Sequence, residues 1–325
     1  MMGLKITQTA SYVPPQVVTN DDLTEIMDTS DEWISSRTGI KQRHVSRGEQ
    51  TSDLAVKVAQ SLLKKAAVDA DQIDFIIVAT MSPDFLTPST AAIVQGKIHA
   101  QHALAFDLNS ACSGFIYALA VADKLLAGPY RRGLVIGAEV LTKLVDWQDR
   151  STAVLFGDGS GGVLVEKDVT TAGIIAEDLR AFGEQAAILT AGYQPTVSTF
   201  SQDDTDQHKH YLEMQGRDVY TFATHEVPSS INRVLTQANW QKDDVDWYLL
   251  HQANGRILTV IAKHLNEPVA KFLNNVARYG NTSAASVAIL LDEFVTSGDI
   301  QPGQKLILSG FGGGLTVASI ALIFN

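Results

Sequence analysis

The chain has 325 residues, 45% of them apolar, and a formal net charge of −11. It is long enough for two domains, or two halves of one large α/β unit, and too acidic for general nucleic-acid binding, which needs a basic surface. It has no strongly biased stretch, no uninterrupted apolar run of ~18 residues and only one cysteine, which argues against a disordered tail, a membrane span and an internal disulfide; the lone thiol fits a reducing cytoplasm.

The opening MMGLKITQTASYV reads as a strand and has neither a basic n-region nor an apolar h-region, so no signal peptide is expected. Residues 53–68 (DLAVKVAQSLLKKAAV) keep a polar stripe of Lys57, Gln60, Lys64 and Lys65, as an outer helix does. QIDFIIVAT (72–80) is an acidic-led apolar strand. ALAFDLN then runs into a small-residue turn and the helix GFIYALAVADKLLA, which Gly128 and Pro129 end. Apolar residues occupy nearly every side of that helix, so it is expected to be buried all round. RGLVIGAEV (132–140) is a short strand. GDGSGG (157–162) matches G-x-G-x-x-G in form, but the following VLVEK is a strand and not a helix, so a dinucleotide site is rejected. The segment is read as a tight turn between strands. HKH (208–210) lies in the polar stretch SQDDTDQHKHY without cysteine or HExxH, and reads as a solvated loop rather than a metal site.

The second half answers the first. DVDWYLLHQ (244–252) repeats the acidic-led strand, with Asp246 in the place of Asp74. ARYGNTSAASVAILLDEFVTSG (277–298) repeats the turn and the all-round apolar helix, and GQKLILSGF (303–311) repeats RGLVIGAEV. GGGLTVASIALIF (312–324), a glycine turn and a closing strand, answers GDGSGGVLVEK (157–167). Strands alternating with helices imply mostly parallel sheets. Two buried helices, one per half, fit best between two sheets. The expected architecture is a layered α/β/α/β/α sandwich of two pseudo-symmetric halves, 1–170 and 171–325.

Cys112 opens the first buried helix, where backbone N–H groups and the positive helix end are expected to lower its pKa from ~8.5 and supply a thiolate. The competing reading is a small, inert core thiol. His251 ends the strand VDWYLL, at the carboxyl end where ligands gather in open α/β sheets; a lone histidine is more often a structural hydrogen-bonder. Asn281 holds nearly the position in the second half that Cys112 holds in the first, or is a turn or cap asparagine. Three polar groups at three strand-to-helix junctions of a pseudo-symmetric fold converge near its axis, which favours catalysis. GFGGG (310–314) lacks the Lys-Ser/Thr of a phosphate loop. It suits equally a close-packing turn and backbone N–H groups free to approach a reacting carbonyl.

Together NSACSGF, HQANGRI, GNTSAAS and GFGGG, in this order and spacing, with DEWISSRTGIKQRH (31–44) and FGDGSGG, closely resemble the beta-ketoacyl-[acyl-carrier-protein] synthase III family of the thiolase-like superfamily. The resemblance covers essentially the whole chain. It implies the thiolase-like five-layer αβαβα sandwich and decarboxylative condensation of a short acyl-coenzyme A, acetyl by default, with malonyl-acyl carrier protein, at the start of type II fatty-acid synthesis. Cys112 would carry the acyl group, with the N–H groups of Cys112 and Gly313 as oxyanion hole. His251 and Asn281 would donate to the malonyl thioester carbonyl. Trp33 and Arg37 would hold the coenzyme A adenine, and Thr38 and Arg150 would make further coenzyme contacts. The segment Gln252, Ala253, Asn254, Gly255 and Arg256 would meet the acidic carrier protein. The resemblance further implies a cytoplasmic homodimer that uses no metal, nucleotide or organic cofactor. Thr87, before Pro88, replaces an aromatic residue that in many relatives borders the acyl pocket across the dimer, so their chain preference does not transfer.

Three rivals are weighed against this reading. Another thiolase-fold condensing enzyme would differ in its acyl thioester; a hydroxymethylglutaryl-type one would want a glutamate that segment 76–90 lacks. A Cys-His-Asn hydrolase of papain type has neither the duplication nor the buried helices. A binding protein would leave Cys112 inert.

Overall fold

In the computed structural model, which describes residues 3–168, 173–196, 199–200 and 207–325, the principal strands form two sheets. The first contains β1 (Gly3–Tyr12), β2 (Phe75–Ala79), β3 (Leu104–Leu108), β4 (Arg132–Glu139) and β5 (Gly159–Asp168), in the order β1-β5-β4-β2-β3. The second contains β6 (Ile174–Ala181), β7 (Trp247–Leu250), β8 (Lys305–Gly312) and β9 (Thr316–Ile323), in the order β7-β8-β9-β6. The expected boundary at 170/171 lies outside the described residues, as does the side chain of His208 in HKH.

Both sheets repeat one pairing scheme. The antiparallel set β1/β5/β4 answers β6/β9/β8, and the parallel pair β4/β2 answers β8/β7. Beside β7, a single parallel bridge from Tyr248 to Phe272 stands where β3 pairs with β2 in the first half. The matching extends to single hydrogen bonds: Asp74 accepts from Arg132 N–H at 2.9 Å, and Asp246 accepts from Lys305 N–H at 2.7 Å. The sheets are mixed rather than mostly parallel. Only the strands joined through a crossover helix run parallel; β8 returns directly through the Gly313–Leu315 turn into β9, so that pair is antiparallel.

The helices that bear on the site are α1 (Asp31–Thr38), α2 (Thr51–Ala66), α3 (Thr90–Lys97), α4 (Gly114–Ala127), α5 (Gly216–Ala238), α6 (Gly255–Leu265) and α7 (Ala285–Ser297). Side chains alternate across each strand. Phe75, Ile77 and Ala79 of β2 face inward, whereas Ile76 and Val78 face the outer helices; in the second sheet Leu306 and Leu308 face inward and Ile307 outward. The inward layer is α4 and α7, where Phe115 and Leu119 join Val287, Leu290 and Leu291 in one buried cluster. Val58 and Leu62 of α2 and Val94 of α3 cover the first sheet, and Val227 of α5 and Ile261 of α6 cover the second. This is the five-layer sandwich of the thiolase-like fold. No helix among the described residues is long and apolar enough to cross a membrane.

The glycines of GDGSGG do not form a turn. Gly159–Gly162 lie inside β5, where α7 passes too close for a side chain at Gly159 and Gly161. A Cβ on Gly161 would stand 2.6 Å from Ile289 N, and one on Gly137 of β4 would stand 2.4 Å from the Ala284 carbonyl oxygen. Gly310 of β8 serves the other helix, with its Cβ position 2.8 Å from Ser113 Cα. Each half thus presents a glycine to the helix start of the other. Gly161→Ala is expected to destabilise the fold by about 1–3 kcal/mol through overpacking. A thermal unfolding scan would show it as a fall of about 2–4 °C per kcal/mol; an unchanged midpoint would mean that α7 shifts away without cost.

Candidate active site

Cys112 lies in the one-turn helix Ala111–Ser113 between β3 and α4. The turn is made by Ala111 at φ 45°, a left-handed conformation that costs a non-glycine residue about 1–3 kcal/mol. Ser113 holds it, its hydroxyl donating to the Ser110 carbonyl at 2.7 Å and lying 2.8 Å from the Thr316 hydroxyl. Before α7, Ser283 at φ 47° makes the matching turn. The counterpart of Cys112 is therefore Ala284, as the Gly137 and Gly310 contacts also show, and Asn281 lies just upstream of it.

Cys112, His251, Asn281 and Gly313 line one cavity of about 520 Å³. Met81, Phe156, Leu189, Leu212 and Met214 add an apolar wall, suited to an alkyl chain. GFGGG packs closely against the thiol. A Cβ on Gly312 would stand 2.9 Å from Cys112 Cβ and 3.2 Å from its Sγ, so close packing demands glycine there. Gly313 then borders the cavity, and among the described residues neither its N–H nor that of Cys112 donates to another backbone carbonyl outside helices and strands.

His251 follows β7 and is fixed from several sides. Its N–H donates to the Ser309 carbonyl at 2.8 Å, its ring meets Phe311 edge-on at 5.2 Å, and its Nδ1 lies 2.7 Å from Ser286 Oγ. Burial pushes the imidazole pKa down to about 3, so the ring is neutral at neutral pH. Asn281 Oδ1 accepts from Ser283 N–H at 2.8 Å. A backbone N–H can only donate, which fixes the amide orientation and leaves the Nδ2 hydrogens to the cavity that Asn281 lines. A neutral imidazole, an amide and backbone N–H groups around a thiol are groups able to stabilise charge that develops on carbonyl oxygens.

The thiol departs from expectation. Burial pushes Cys112 up to about 12; the Ser283 hydroxyl opposes this and the Glu139 carboxyl adds to it. Desolvation disfavours the charged form, so the resting group is a thiol rather than a thiolate. Alkylation of Cys112 by iodoacetamide is accordingly expected to quicken about tenfold per pH unit from 7 to 10, followed by intact-protein mass. A plateau below pH 8 would show a depressed pKa. Glu139, which sequence reasoning missed, is wholly buried behind the site. Burial raises it to about 7, against hydrogen bonds from Ser82 Oγ at 2.5 Å and Thr80 Oγ1 at 3.1 Å.

Helix α1 starts at the Ser30 cap and stops at left-handed Gly39, which sets Trp33 and Arg37 one turn apart on one face. Arg37 stacks over the Trp33 ring at 4.7 Å and Arg150 at 5.0 Å, so these three expected residues form one cluster. Thr38 does not join it. It is buried, its hydroxyl donating to the Ile34 carbonyl and accepting from Ile40 N–H. The cluster adjoins the cavity mouth, because Asn254, which lines the cavity and caps α6, donates to the Arg37 carbonyl at 3.2 Å. Of the segment expected to meet a carrier protein, Arg256 is exposed and Ala253, Asn254 and Gly255 are half-buried. Gln252 is buried, its amide spent on the Leu250 carbonyl and Asn275 N–H, and no protein partner can reach it.

Two family models match the chain, "3-Oxoacyl-[acyl-carrier-protein (ACP)] synthase III" over residues 106–183 and its C-terminal counterpart over 235–324. Similar chains include the beta-ketoacyl-[acyl-carrier-protein] synthase III of Streptococcus equi subsp. equi, 54% identical over 98% of this chain and 99% of its own. That of Limosilactobacillus reuteri is 52% identical over 99% of each chain. Among solved structures, 3-oxoacyl-[acyl-carrier-protein] synthase III from Aquifex aeolicus superposes with a TM-score of 0.92 at 40% identity, covering 99% of this chain and 100% of that one. A fold and sequence shared end to end with these proteins make the chain a member of the beta-ketoacyl-[acyl-carrier-protein] synthase III family of acyltransferases.

Proposed function

We propose that this condensing enzyme primes type II fatty-acid synthesis with a short acyl group, acetyl by default, carried on Cys112. The observation that supports this most directly is one cavity lined by Cys112, Gly313, His251 and Asn281. In the first step Sγ attacks the thioester carbonyl of acyl-coenzyme A while the N–H groups of Cys112 and Gly313 hold the oxyanion. The carbon–sulfur bond to coenzyme A breaks, and the thiol proton leaves with coenzyme A. The thioester divides one hard carbon–carbon step into two. Malonyl-acyl carrier protein then enters, and His251 and Asn281 donate to its thioester carbonyl as CO2 departs. The enolate carbon attacks the acyl-cysteine, expelling the cysteine thiolate and releasing 3-ketoacyl-carrier protein; the thiolate takes a proton from solvent to restore the thiol. Decarboxylation supplies the carbanion without a strong base, so the reaction needs no metal or organic cofactor.

Trp33, Arg37 and Arg150 are the coenzyme contacts of this reading, a flat cationic and aromatic cluster fit to stack a purine. Arg256 is its contact to an acidic carrier protein. The exposed edge of the first sheet supports a homodimer. Among the described residues strand β3 pairs only with β2 and its Leu104 is 41% exposed, and Phe85 and Leu86, in the segment between β2 and α3, are 60% and 77% exposed. The cytoplasm is the compartment that suits a free thiol and these substrates. The deciding experiment offers a panel of acyl-coenzyme A primers with malonyl-carrier protein and reads product by mass. A short 3-ketoacyl-carrier protein is expected, and no product from any primer would overturn the reading.

A further inference from the structure

Ser286 stands in the first turn of α7, and its Oγ lies 2.7 Å from His251 Nδ1. Both residues are inside the protein, 2% and 1% exposed. A serine hydroxyl has one proton to give and lone pairs to receive others. Among the hydrogen bonds of the described residues, Nδ1 is the only acceptor for the Ser286 hydroxyl. The N–H that approaches Ser286 Oγ is the backbone N–H of Gln252, at 3.5 Å. The common outlet for a helical serine, a carbonyl in the preceding turn, is not used: Ser286 makes no such bond. With a backbone donor on its oxygen and a lone pair before its proton, the hydroxyl donates to Nδ1.

We infer that Ser286 is a positioning residue: by donating to Nδ1 it holds His251 as the tautomer with its single proton on Nε2, the nitrogen left to face substrate. The inference rests on the donor role given to His251 above. It explains how a neutral imidazole is made a donor at a thioester carbonyl. The other tautomer would present a lone pair to the developing enolate oxygen and repel it. A second hydrogen bond on the far ring nitrogen is the usual means of choosing between tautomers.

The test uses the full-length protein labelled with [15N]histidine. In a long-range 1H–15N spectrum, the His251 signals are those missing from His251→Ala. Wild type is expected to show protonated Nε2 and unprotonated Nδ1, and Ser286→Ala to show a mixture of tautomers. Ser286→Ala is further expected to slow CO2 release from malonyl-carrier protein about 10- to 100-fold, with acylation of Cys112 unchanged. A wild-type ring protonated on Nδ1 overturns the inference by itself, whatever the variants do. So does a Ser286→Ala protein with unaltered tautomer and unaltered CO2 release. The two layers fail separately: normal CO2 release in His251→Ala removes the donor role, whereas a dead His251→Ala beside a normal Ser286→Ala removes only the part given to Ser286.

Discussion

Cys112→Ser is expected to abolish condensation, with a loss on the order of 10⁴-fold or more, as when a covalent nucleophile is removed. The reason lies in the proton. Burial already holds the thiol up to about 12, and a serine hydroxyl in the same site gives up its proton far less readily still. The substitution removes no packing volume of consequence, and Gly312 still closes over the smaller oxygen. Incubation with radiolabelled acyl-coenzyme A reads the step directly: wild type acquires one acyl group per chain and the variant none. Acyl label retained by Cys112→Ser would move the nucleophile elsewhere in the cavity.

His251→Ala and Asn281→Ala are expected to separate the two half-reactions. Each should still accept an acyl group on Cys112, because the donors for that step are backbone N–H groups. Each should lose CO2 release from malonyl-carrier protein by about 10²–10³-fold, the usual effect of one missing donor at a developing oxyanion. In the proposed role Asn281 offers its Nδ2, because Ser283 N–H holds its Oδ1, so Asn281→Asp, which has no N–H to offer, should behave like Asn281→Ala. The pH profile of decarboxylation carries a second signature. A His251 pKa pushed down to about 3 leaves the ring neutral through the acid range in which an ordinary histidine gains its charge, so the rate should show no inflection near pH 6.5. Burial that disfavours the charged ring also makes the fold's stability on this account complete above pH 6.5 and progressively lost as pH falls toward 3. Normal CO2 release by both alanine variants, measured beside label transfer, would refute the assignment.

Much of this molecule was written in local pattern. The polar stripe of α2 and the all-round apolar faces of α4 and α7 follow from residues a few positions apart, and a helix reports its burial through that spacing. The order of the layers followed, as did the repeat that pairs Asp74 with Asp246. The motifs around Cys112, His251 and Asn281 marked the junctions that share the cavity, because strand-to-helix turns need small polar residues whatever surrounds them.

Properties set by neighbours distant in sequence emerged only in the folded chain. GDGSGG looked like a turn because nothing local shows that α7 lies across it; the 2.6 Å approach to Ile289 N does. Thr38 and Gln252 sat within motifs of contact, yet each is buried with its polar atoms already bonded. Helix position alone suggested an acidic thiol at Cys112, whereas desolvation by the strands and glycines packed around it pushes the pKa the other way. Ser286 was invisible for the same reason: its importance is a contact of 2.7 Å with His251, made only when α7 folds beneath the end of β7. Periodicity and turn chemistry are local and survive in the sequence, while burial and hydrogen-bond partnership are properties of the assembled core.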